Sequence, residues 1–325
     1  MTDRRSLLLA ATSLALPATA PRAQSPGGRT VRLVVPFPAG GATDLFARSI
    51  QQRLGERLGG TLLVDNKPGA GGAIGSDIAA KAAPDGLTLL LATTSTHSAG
   101  PGLATAARRL PYDAVRDFTP IAWVGTAPSL MLVPTSSPAR TVREWIDEAK
   151  RNPGRFNYAS SGNGTIVQLT AELFKARAGV FVTHIPYKGT ALAIPDLVSG
   201  KVDVLFDSLP SGLPHVRDGR LRALGITSLA RSALAPDVPP VADTLPGFEA
   251  VTWFGLYGPA GLPAETVLRV NAAANQALAD ADVRAALARL GIDPAGGTPA
   301  QFAAMVATDR ATWKRIIDER KIVSD

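Results

Sequence analysis

The sequence predicts an α/β fold of two domains, each a mostly parallel sheet flanked by helices, with a ligand cleft between them. Short runs of β-branched and apolar residues alternate with stretches of helical periodicity, which is the pattern of parallel sheets covered by helices. The alternation occurs twice along the chain. A helical tail without strands of its own follows, and such a tail needs a sheet to cover.

The first α/β set begins close to the N-terminus. Phe46, Ile50, Leu54 and Leu58 recur every fourth residue, as on one face of a helix, and the glycine pair that follows ends the helix. Around it, strands are predicted at 30–35, 61–64 and 87–92 and a short helix at 73–83.

The second set follows an extended run at 121–133, which is predicted as one long strand or as two. Thr141 and Glu144 form a capping box for the helix behind them. The further elements of this set are helices ending at 150 and covering 166–178 and 191–199, and strands at 156–159, 181–186, 202–206 and 221–227.

The tail is predicted as helix over 264–290, with a break near Asp280, and over 299–321. The extended run at 251–257 would carry the chain back to the first sheet. We therefore expect domain 1 to contain residues 29–128 and 252–325, domain 2 to contain residues 129–251, and the hinge strands to lie near Ser129–Val133 and Trp253–Tyr257.

Residues 1–23 are predicted to be an export signal. Arg4 and Arg5 precede the apolar run Leu7–Leu16, and small residues follow. A Sec signal and a twin-arginine signal both fit this pattern. Cleavage after Ala23, or alternatively after Ala20, would release the mature protein into the periplasm.

Composition excludes several classes of function. Hydrophobic residues make up 46% of the chain, which is enough for a core, and no cysteine is present for disulfides or thiolate sites. The formal charge of +7 comes from scattered basic residues, so no nucleic acid partner is expected. A mild attraction for anionic ligands is the better interpretation.

The segment 34–46, VVPFPAGGATDLF, is the first candidate for a binding site. A strand ends, a turn rich in proline and glycine follows, and a helix begins near Thr43 or Asp44. The first N–H groups of a helix lack intrahelical partners and lie at the positive end of its dipole, and glycine lets a ligand approach the backbone. The pattern predicts an anion site without a charged side chain, and a simple strand–helix turn is the alternative.

Two further segments repeat this device. The segment 158–165, YASSGNGT, leads into the helix at 166–178, and the hydroxyl run 93–98, TTSTHS, follows the strand that ends at Ala92. Open α/β sheets bind ligands at the ends of their parallel strands. A loop with a cap is again the alternative.

Other chemistries find little support. The glycine-rich segment 68–75 lacks the third glycine and the acidic partner of a dinucleotide loop. The histidines are far apart, without metal-like spacing, so no metal and no cofactor are expected. Ser95, His184 and Asp207 supply the residue types of a catalytic triad, but no local sequence pattern supports one.

The sequence resembles the substrate-binding proteins of tripartite tricarboxylate transporters, the Bug family. The segments that carry the resemblance are VVPFPAGGATD, NKPGAGGAIG, SSGNGT, PYKGTALAIPDLVSGKVDVLFD, LRALGIT, PDVPPVAD and WFGLYGPAGLP. The resemblance implies a type II-like periplasmic binding protein fold with a hinged cleft. It also implies a small organic carboxylate as ligand and membrane transporter subunits as transient partners of a monomer.

Carried over by position, the resemblance implies ligand-binding residues in three loops and on the far wall of the cleft. These are Phe37, Ala39, Gly40 and Gly41, with Asp44 ordering the first turn; Thr94, Ser95 and Thr96; Ser160, Ser161, Gly162 and Thr165; and Tyr187 and Asp207. Gln168 stands near a position where many family members have histidine. An ionised Asp207 would repel a second ligand carboxylate and attract an ammonium group, and the alternative is that it caps the segment 209–214.

We therefore expect a periplasmic solute-binding protein, not an enzyme, that captures a small organic carboxylate for a tripartite tricarboxylate-type transporter. One alternative is an exported hydrolase-like α/β enzyme, which would need a cluster of nucleophile, base and orienting group. Another is a sensor that presents its bound ligand to a membrane kinase and shares the same fold and site.

Overall fold

The computed structural model describes residues 29–103, 109–320 and 322. The predicted export signal therefore lies outside the described residues. The first part of the chain forms β1 (Arg29–Val35), α1 (Ala42–Arg57), β2 (Gly60–Asn66), α2 (Ala73–Ala80), β3 (Thr88–Thr93), a short helical turn (Ser95–Ala99) and the single-turn α3 (Gly100–Gly102).

The second part begins with one long strand, so the extended run is not divided in two. Its elements are β4 (Phe118–Pro134), α4 (Val142–Arg151), β5 (Asn157–Ser160), α5 (Ile166–Ala178), β6 (Thr183–Pro186), α6 (Thr190–Val198), β7 (Val204–Ser208), α7 (Leu209–Arg217) and β8 (Leu221–Ile226). Neither α7 nor the helical turn after β3 was predicted from the sequence.

The tail returns through a strand and then becomes helical, as expected. Its elements are β9 (Val251–Pro259), α8 (Ala264–Ala279), α9 (Ala281–Leu290), the two-residue β10 (Asp293–Pro294) and α10 (Pro299–Arg320). The break between α8 and α9 has a local cause. Asp280 is the N-cap of α9, and its carboxylate accepts hydrogen bonds from the amides of Asp282 and Val283.

The strands lie in the order β2-β1-β3-β9-β4-β7-β5-β6, with β8 and β10 also paired to β4. The expected parallel sheets are present on both sides as β2-β1-β3 and β6-β5-β7. The strands that connect them, β9 and β4, run antiparallel to their neighbours. The sequence did not reveal this antiparallel centre, because buried strands of either orientation are continuous apolar runs.

The chain passes between the two halves of the sheet at two adjacent places. Residues Phe118–Pro128 of β4 pair with β9, whereas Ser129–Pro134 pair with β7 and β8. Thr227, fully buried just after β8, ties the two passages together. Its hydroxyl accepts a hydrogen bond from the Ser129 amide at 2.8 Å and donates to the Ala250 carbonyl at 2.5 Å, and its backbone bonds the same two residues.

Three hydrophobic clusters form the core. One lies between the first half of the sheet and α1, α8 and α9, and a second lies on the opposite face and includes Phe302 of α10. The third surrounds the second half of the sheet and also takes in Trp313 and Ile317 of α10. The last helix therefore does more than cover the first sheet, because it packs against both halves.

Gly255 in the central strand β9 should be intolerant of any side chain. A Cβ atom at this position would lie 2.1 Å from Cζ of Phe302, whose ring covers the glycine. We expect Gly255→Ala to lower the free energy of unfolding by about 1–3 kcal/mol through overpacking, measured by urea denaturation. The loss should shrink in a Phe302→Leu background, and an equal loss in both backgrounds would contradict a clash with the ring.

Candidate ligand-binding cleft

A cleft with about 500 Å³ of empty space, its open mouth included, lies where the two halves of the sheet meet. It is lined by strand ends and by the first residues of helices: Phe37, Pro38, Gly41, Ala42, Thr43, Thr93, Ser95, Ser161, Ile166, Val167, Gly189, Thr190, Ala191, Asp207, Ser208, Thr252 and Phe254. The lining comes from both halves of the chain, so a molecule held there would contact both.

Several helices point their N-termini into this cleft. The lining includes the first residues of α1, α5 and α6, and Ser208, the N-cap of α7. The N-caps of α1 and α6 are Gly41 and Gly189, and neither helix has a side-chain cap. Because the first amides of a helix lack intrahelical acceptors and carry the positive end of the dipole, these termini favour an anion in the cleft.

The loop before α1 is held by the buried carboxylate of Asp44. Its Oδ2 accepts hydrogen bonds from the Gly40 amide at 3.0 Å and from Nε of Arg48 at 2.9 Å, while Oδ1 accepts from Nδ2 of Asn66 at 3.0 Å. Burial opposes ionisation of this carboxyl, but the hydrogen bonds from Arg48, Gly40 and Asn66 outweigh it and lower its pKa. The Gly40 amide is therefore engaged with Asp44, and Arg48 is directed at Asp44 too.

Three polar atoms on the cleft wall are buried and have no hydrogen-bond partner among the described residues. They are Oγ1 of Thr93, Oγ1 of Thr252 and Oδ2 of Asp207, and each of these residues is at most 5% exposed. Buried polar groups in native proteins are almost always hydrogen-bonded, so such a group needs an explanation. All three line one cleft, and a bound polar ligand would supply the missing partners.

The electrostatics of the cleft come mainly from the backbone. None of the described residues that line it is lysine, arginine or histidine, and Asp207 is its ionisable side chain. Burial raises the pKa of Asp207 to about 6, against the opposing effect of hydrogen bonds from Ser211, Thr190 and the Ser208 amide. An anion in this cleft would therefore lie near helix N-termini and beside a carboxyl group that is costly to ionise.

The hydroxyl run after β3 divides into one lining residue and two buried ones. Ser95 lines the cleft, and its Oγ accepts a hydrogen bond at 3.0 Å from the amide of Ile166, at the start of α5. Thr94 and Thr96 point into the protein, where Thr94 accepts from the Trp253 amide and Thr96 accepts from the Thr93 amide. The expected contacts of Thr94 and Thr96 with a ligand stay a prediction, and in this structure their hydroxyls bond the backbone.

The loop before α5 shows the same division. Ser161 lines the cleft, whereas Oγ of the fully buried Ser160 lies 2.6 Å from Nε2 of His184 and accepts from the Gly162 amide. Thr165 is the N-cap of α5 and donates to the Gly162 carbonyl at 2.7 Å. Ser160 and Thr165 therefore support the loop from the protein side, and their expected contact with a ligand stays a prediction.

Gln168 also supports this loop. Its Oε1 accepts a hydrogen bond from the Gly164 amide at 2.6 Å, and its Nε2 lies 3.3 Å from Nδ1 of His184. The Ser95–His184–Asp207 triad is not assembled, since Ser95 contacts Ile166 and His184 contacts Ser160. The geometry thus gives no support to the enzyme alternative through this triad.

The remaining candidates are spread over and around the cleft. Phe37, Gly41 and Asp207 line it, while Ala39 and Gly40 are exposed and do not. Gly162 and Tyr187 line an adjoining pocket that also includes Lys188, and the Tyr187 hydroxyl donates to Asp196 at 2.8 Å. Thr93, Thr190 and Thr252 also line the cleft but were not among the residues expected to bind a ligand. Thr93 carried a signal as the first residue of the hydroxyl run 93–98, and Thr190 follows a glycine before a predicted helix, whereas Thr252 carried none.

Residues 46–322 match the family model described as the tripartite tricarboxylate transporter family receptor, TctC. The chain belongs to this family. The family predicted from the sequence motifs is therefore confirmed. Protein BugT of Bordetella pertussis is 36% identical over 292 residues, which cover 90% of this chain and 89% of BugT. A protein from the tcbD–tcbE intergenic region of Pseudomonas sp. strain P51 is 40% identical over 98% of this chain and 95% of its own length.

Solved structures of family relatives have the same fold. The R. palustris protein Rpa4515, solved with adipate, superposes with a TM-score of 0.87 at 34% identity, over 91% of this chain and 98% of the other. MatC of Rhodopseudomonas palustris, solved with bound malate, gives a TM-score of 0.84 at 33% identity, over 89% of this chain and 99% of MatC. The two-domain α/β fold is confirmed. BugD, solved as a periplasmic binding protein, gives a TM-score of 0.84 at 31% identity, over 91% of this chain and 98% of BugD, and the family is one of transporter receptors rather than enzymes.

No helix within residues 29–103 or 109–320 combines the length and apolar character that crossing a bilayer requires. The same part of the chain contains no group of three or more histidine, aspartate or glutamate side chains placed to hold a metal ion.

Removing the Asp44 carboxylate should destabilise the protein. Asp44→Ala removes the side-chain acceptor of the Gly40 amide and one of the two acceptors of Asn66 Nδ2, which keeps the Phe37 carbonyl, at a site that is 2% exposed. We therefore expect the free energy of unfolding to fall by about 1–3 kcal/mol. Asp282→Ala is the control, because its salt bridge with Arg53 is exposed and should contribute little. Equal urea midpoints for Asp44→Ala and wild type would contradict this role.

Proposed function

We propose that this protein is a periplasmic solute-binding protein that captures a small organic carboxylate and delivers it to the membrane subunits of a tripartite tricarboxylate-type transporter. The proposal includes export through a Sec or a twin-arginine signal and action as a monomer. The carboxylate class is supported by the ligands of two relatives, adipate for Rpa4515 and malate for MatC.

One observation supports this function most strongly. The cleft combines the uncapped N-termini of α1 and α6 with three unpartnered buried polar atoms, and none of its lining residues in the described part of the chain is basic. Each hydrogen bond to a charged group contributes about 1.5–3 kcal/mol, so two or three backbone donors are enough to anchor a carboxylate. We locate those donors in the first turns of α1 and α6, near Ala42, Thr43 and Thr190, instead of at Gly40, whose amide is already engaged.

The proposal includes a hinged movement of two domains, residues 29–128 with 252–325 and residues 129–251. The two passages of the chain lie at Pro128–Ser129 and Ala250–Val251, where the strand partners change. We therefore place the hinge there, at the start of the predicted segment 129–133 and just before the predicted segment 253–257. Ser129–Val133 and Trp253–Tyr257 themselves are paired within their own halves of the sheet.

A ligand sensor for a membrane kinase is the second candidate function. It would use the same cleft and the same closure, so the two roles differ only in the partner that recognises the liganded protein. Uptake of the ligand by cells lacking this protein separates them, because loss of uptake supports transport and unaltered uptake supports sensing.

Gly41→Val should abolish binding of adipate and malate without unfolding the protein. Gly41 lines the cleft at the N-cap of α1, and its φ of −77° is accessible to valine. A Cβ there would lie 3.4 Å from the Pro38 carbonyl, so the isopropyl group should occupy the approach to the helix amides. Calorimetry should show no binding, and circular dichroism should show wild-type secondary structure.

The matched controls are the two nearest basic residues. Arg48 is occupied by Asp44, and Lys188 lines only the adjoining pocket. Arg48→Ala and Lys188→Ala should therefore each weaken binding by less than about tenfold, or 1.4 kcal/mol. Loss of binding in Lys188→Ala with retained binding in Gly41→Val would show that a side-chain charge holds the anion, and the proposed backbone site would be wrong.

Ligand binding should make the molecule more compact. The hinge residues would absorb the backbone change while the two domains move as bodies. Small-angle scattering should give a smaller radius of gyration in saturating adipate or malate than in buffer, with Gly41→Val unchanged by the same additions. An identical radius for the free and saturated wild-type protein would count against closure.

A further inference from the structure

Asp207 occupies an unusual position on the wall of the cleft. It lies in β7 directly before the N-cap of α7, is 2% exposed, and lines the cleft together with Thr190 and Ser208. Within residues 29–103 and 109–320, its Oδ2 has no hydrogen-bond partner, and no lysine, arginine or histidine lines the cleft with it. A carboxylate in such a place is poorly solvated, and a second carboxylate in the same cleft would repel it.

The charged groups on the elements packed against β7 are engaged elsewhere. Glu172 of α5 pairs with Lys175, Asp196 of α6 pairs with Lys201, and Asp44 across the cleft pairs with Arg48. Further ionisable groups on these elements contact other residues or lie at a helix end. His184 contacts Ser160, and Arg177 donates to the Pro246 carbonyl. His215 and Arg217 lie in the last turn of α7. None of them contributes to the ionisation of Asp207, which is governed by burial and by neighbouring hydroxyl and amide groups.

We propose that Asp207 takes up a proton when an organic dianion binds, and that its protonated carboxyl then donates a hydrogen bond to a carboxylate of the ligand. This inference rests on the proposed function and adds a proton-linked step to it. The proton comes from solvent and resides on the free carboxyl oxygen. No covalent bond to the ligand forms.

The sign of the linkage follows from the ionisation of Asp207 in the free protein. Its pKa is already raised to about 6 by burial, and an adjacent anion raises it further. Between the pKa of the free state and the higher pKa of the ligated state, the ligated state holds up to one more proton than the free state, so affinity falls as pH rises through this range. The slope approaches about tenfold per pH unit for a one-proton linkage.

This proposal refines the expected role of Asp207 in choosing ligands. An ionised Asp207 would exclude dicarboxylates and favour amines, but a carboxyl group that binds a proton with the ligand accepts both classes. A dicarboxylate would bind together with a proton. A ligand with an ammonium group would bind to ionised Asp207 without charge repulsion and without taking up a proton. The pH dependence, not the bare affinity, distinguishes the two classes.

The test is calorimetry of the mature protein with adipate and with malate between about pH 6.5 and pH 8, where simple carboxylates are fully ionised. At each pH, binding heats in two buffers of different ionisation enthalpy give the number of protons taken up. We expect wild type to bind close to one proton per dianion near neutral pH and to lose affinity by up to about tenfold per pH unit.

Asp207→Asn keeps the shape and supplies an N–H donor without titrating. It should bind the same dianions with an affinity that does not change over this pH range and without proton uptake. Asp203→Asn is the matched control, because Asp203 lies just before β7, at the end of the strand away from Asp207. Its carboxylate accepts a hydrogen bond from the Asn157 amide. This control should retain the wild-type slope.

The outcomes distinguish failure of the proton linkage from failure of carboxylate binding. Absence of proton uptake by wild type, or a wild-type pH slope in Asp207→Asn, overturns the proton linkage but leaves the carboxylate-binding function intact. If neither adipate nor malate binds at any pH, the proposed function fails, and this inference fails with it.

Discussion

The structure depends on the two adjacent passages of the chain between the halves of its sheet. Both are held by Thr227, whose hydroxyl and backbone bond Ser129 and Ala250 at zero exposure. Because β4 runs through both halves, the strand ends of each half face the other across one cleft. The helices that follow those strands then point their N-termini at each other, so the topology alone creates the electrostatic character of the site.

Backbone donors explain how a basic side chain can be absent from an anion site. A helix terminus supplies aligned N–H groups whose positions are fixed by the fold, and it has no side-chain entropy to lose. The cost is that the loops before the helices must leave those donors uncovered. Gly41 and Gly189 do so as N-caps without side chains, while Asp44, Thr165 and Ser160 hold the loops from behind.

Much of the fold could be predicted from the sequence, because its signals are local. The helix at 166–178 was predicted to the residue, and the break at Asp280 is an N-cap. The site was predicted only as loops. The hydroxyls of Ser160, Ser161, Thr94 and Ser95 look alike in the sequence, and which of them lines the cleft is decided by tertiary packing. Thr252 lies in a buried strand, where no local pattern indicates a binding role.

The contacts across the cleft also indicate how it would open. On the side near β3, the two halves are joined by a hydrogen bond from the Ile166 amide to Oγ of Ser95. A second contact across the cleft is apolar, because Pro38 packs against Gly189, where any Cβ would lie 2.6 Å from Cγ of the proline. Gly189 has a φ of +129°, so only glycine both adopts this conformation readily and admits the ring. The proposed opening of the cleft would therefore separate both the Ser95–Ile166 hydrogen bond and the Pro38–Gly189 contact, while Thr227 keeps the two passages of the chain joined.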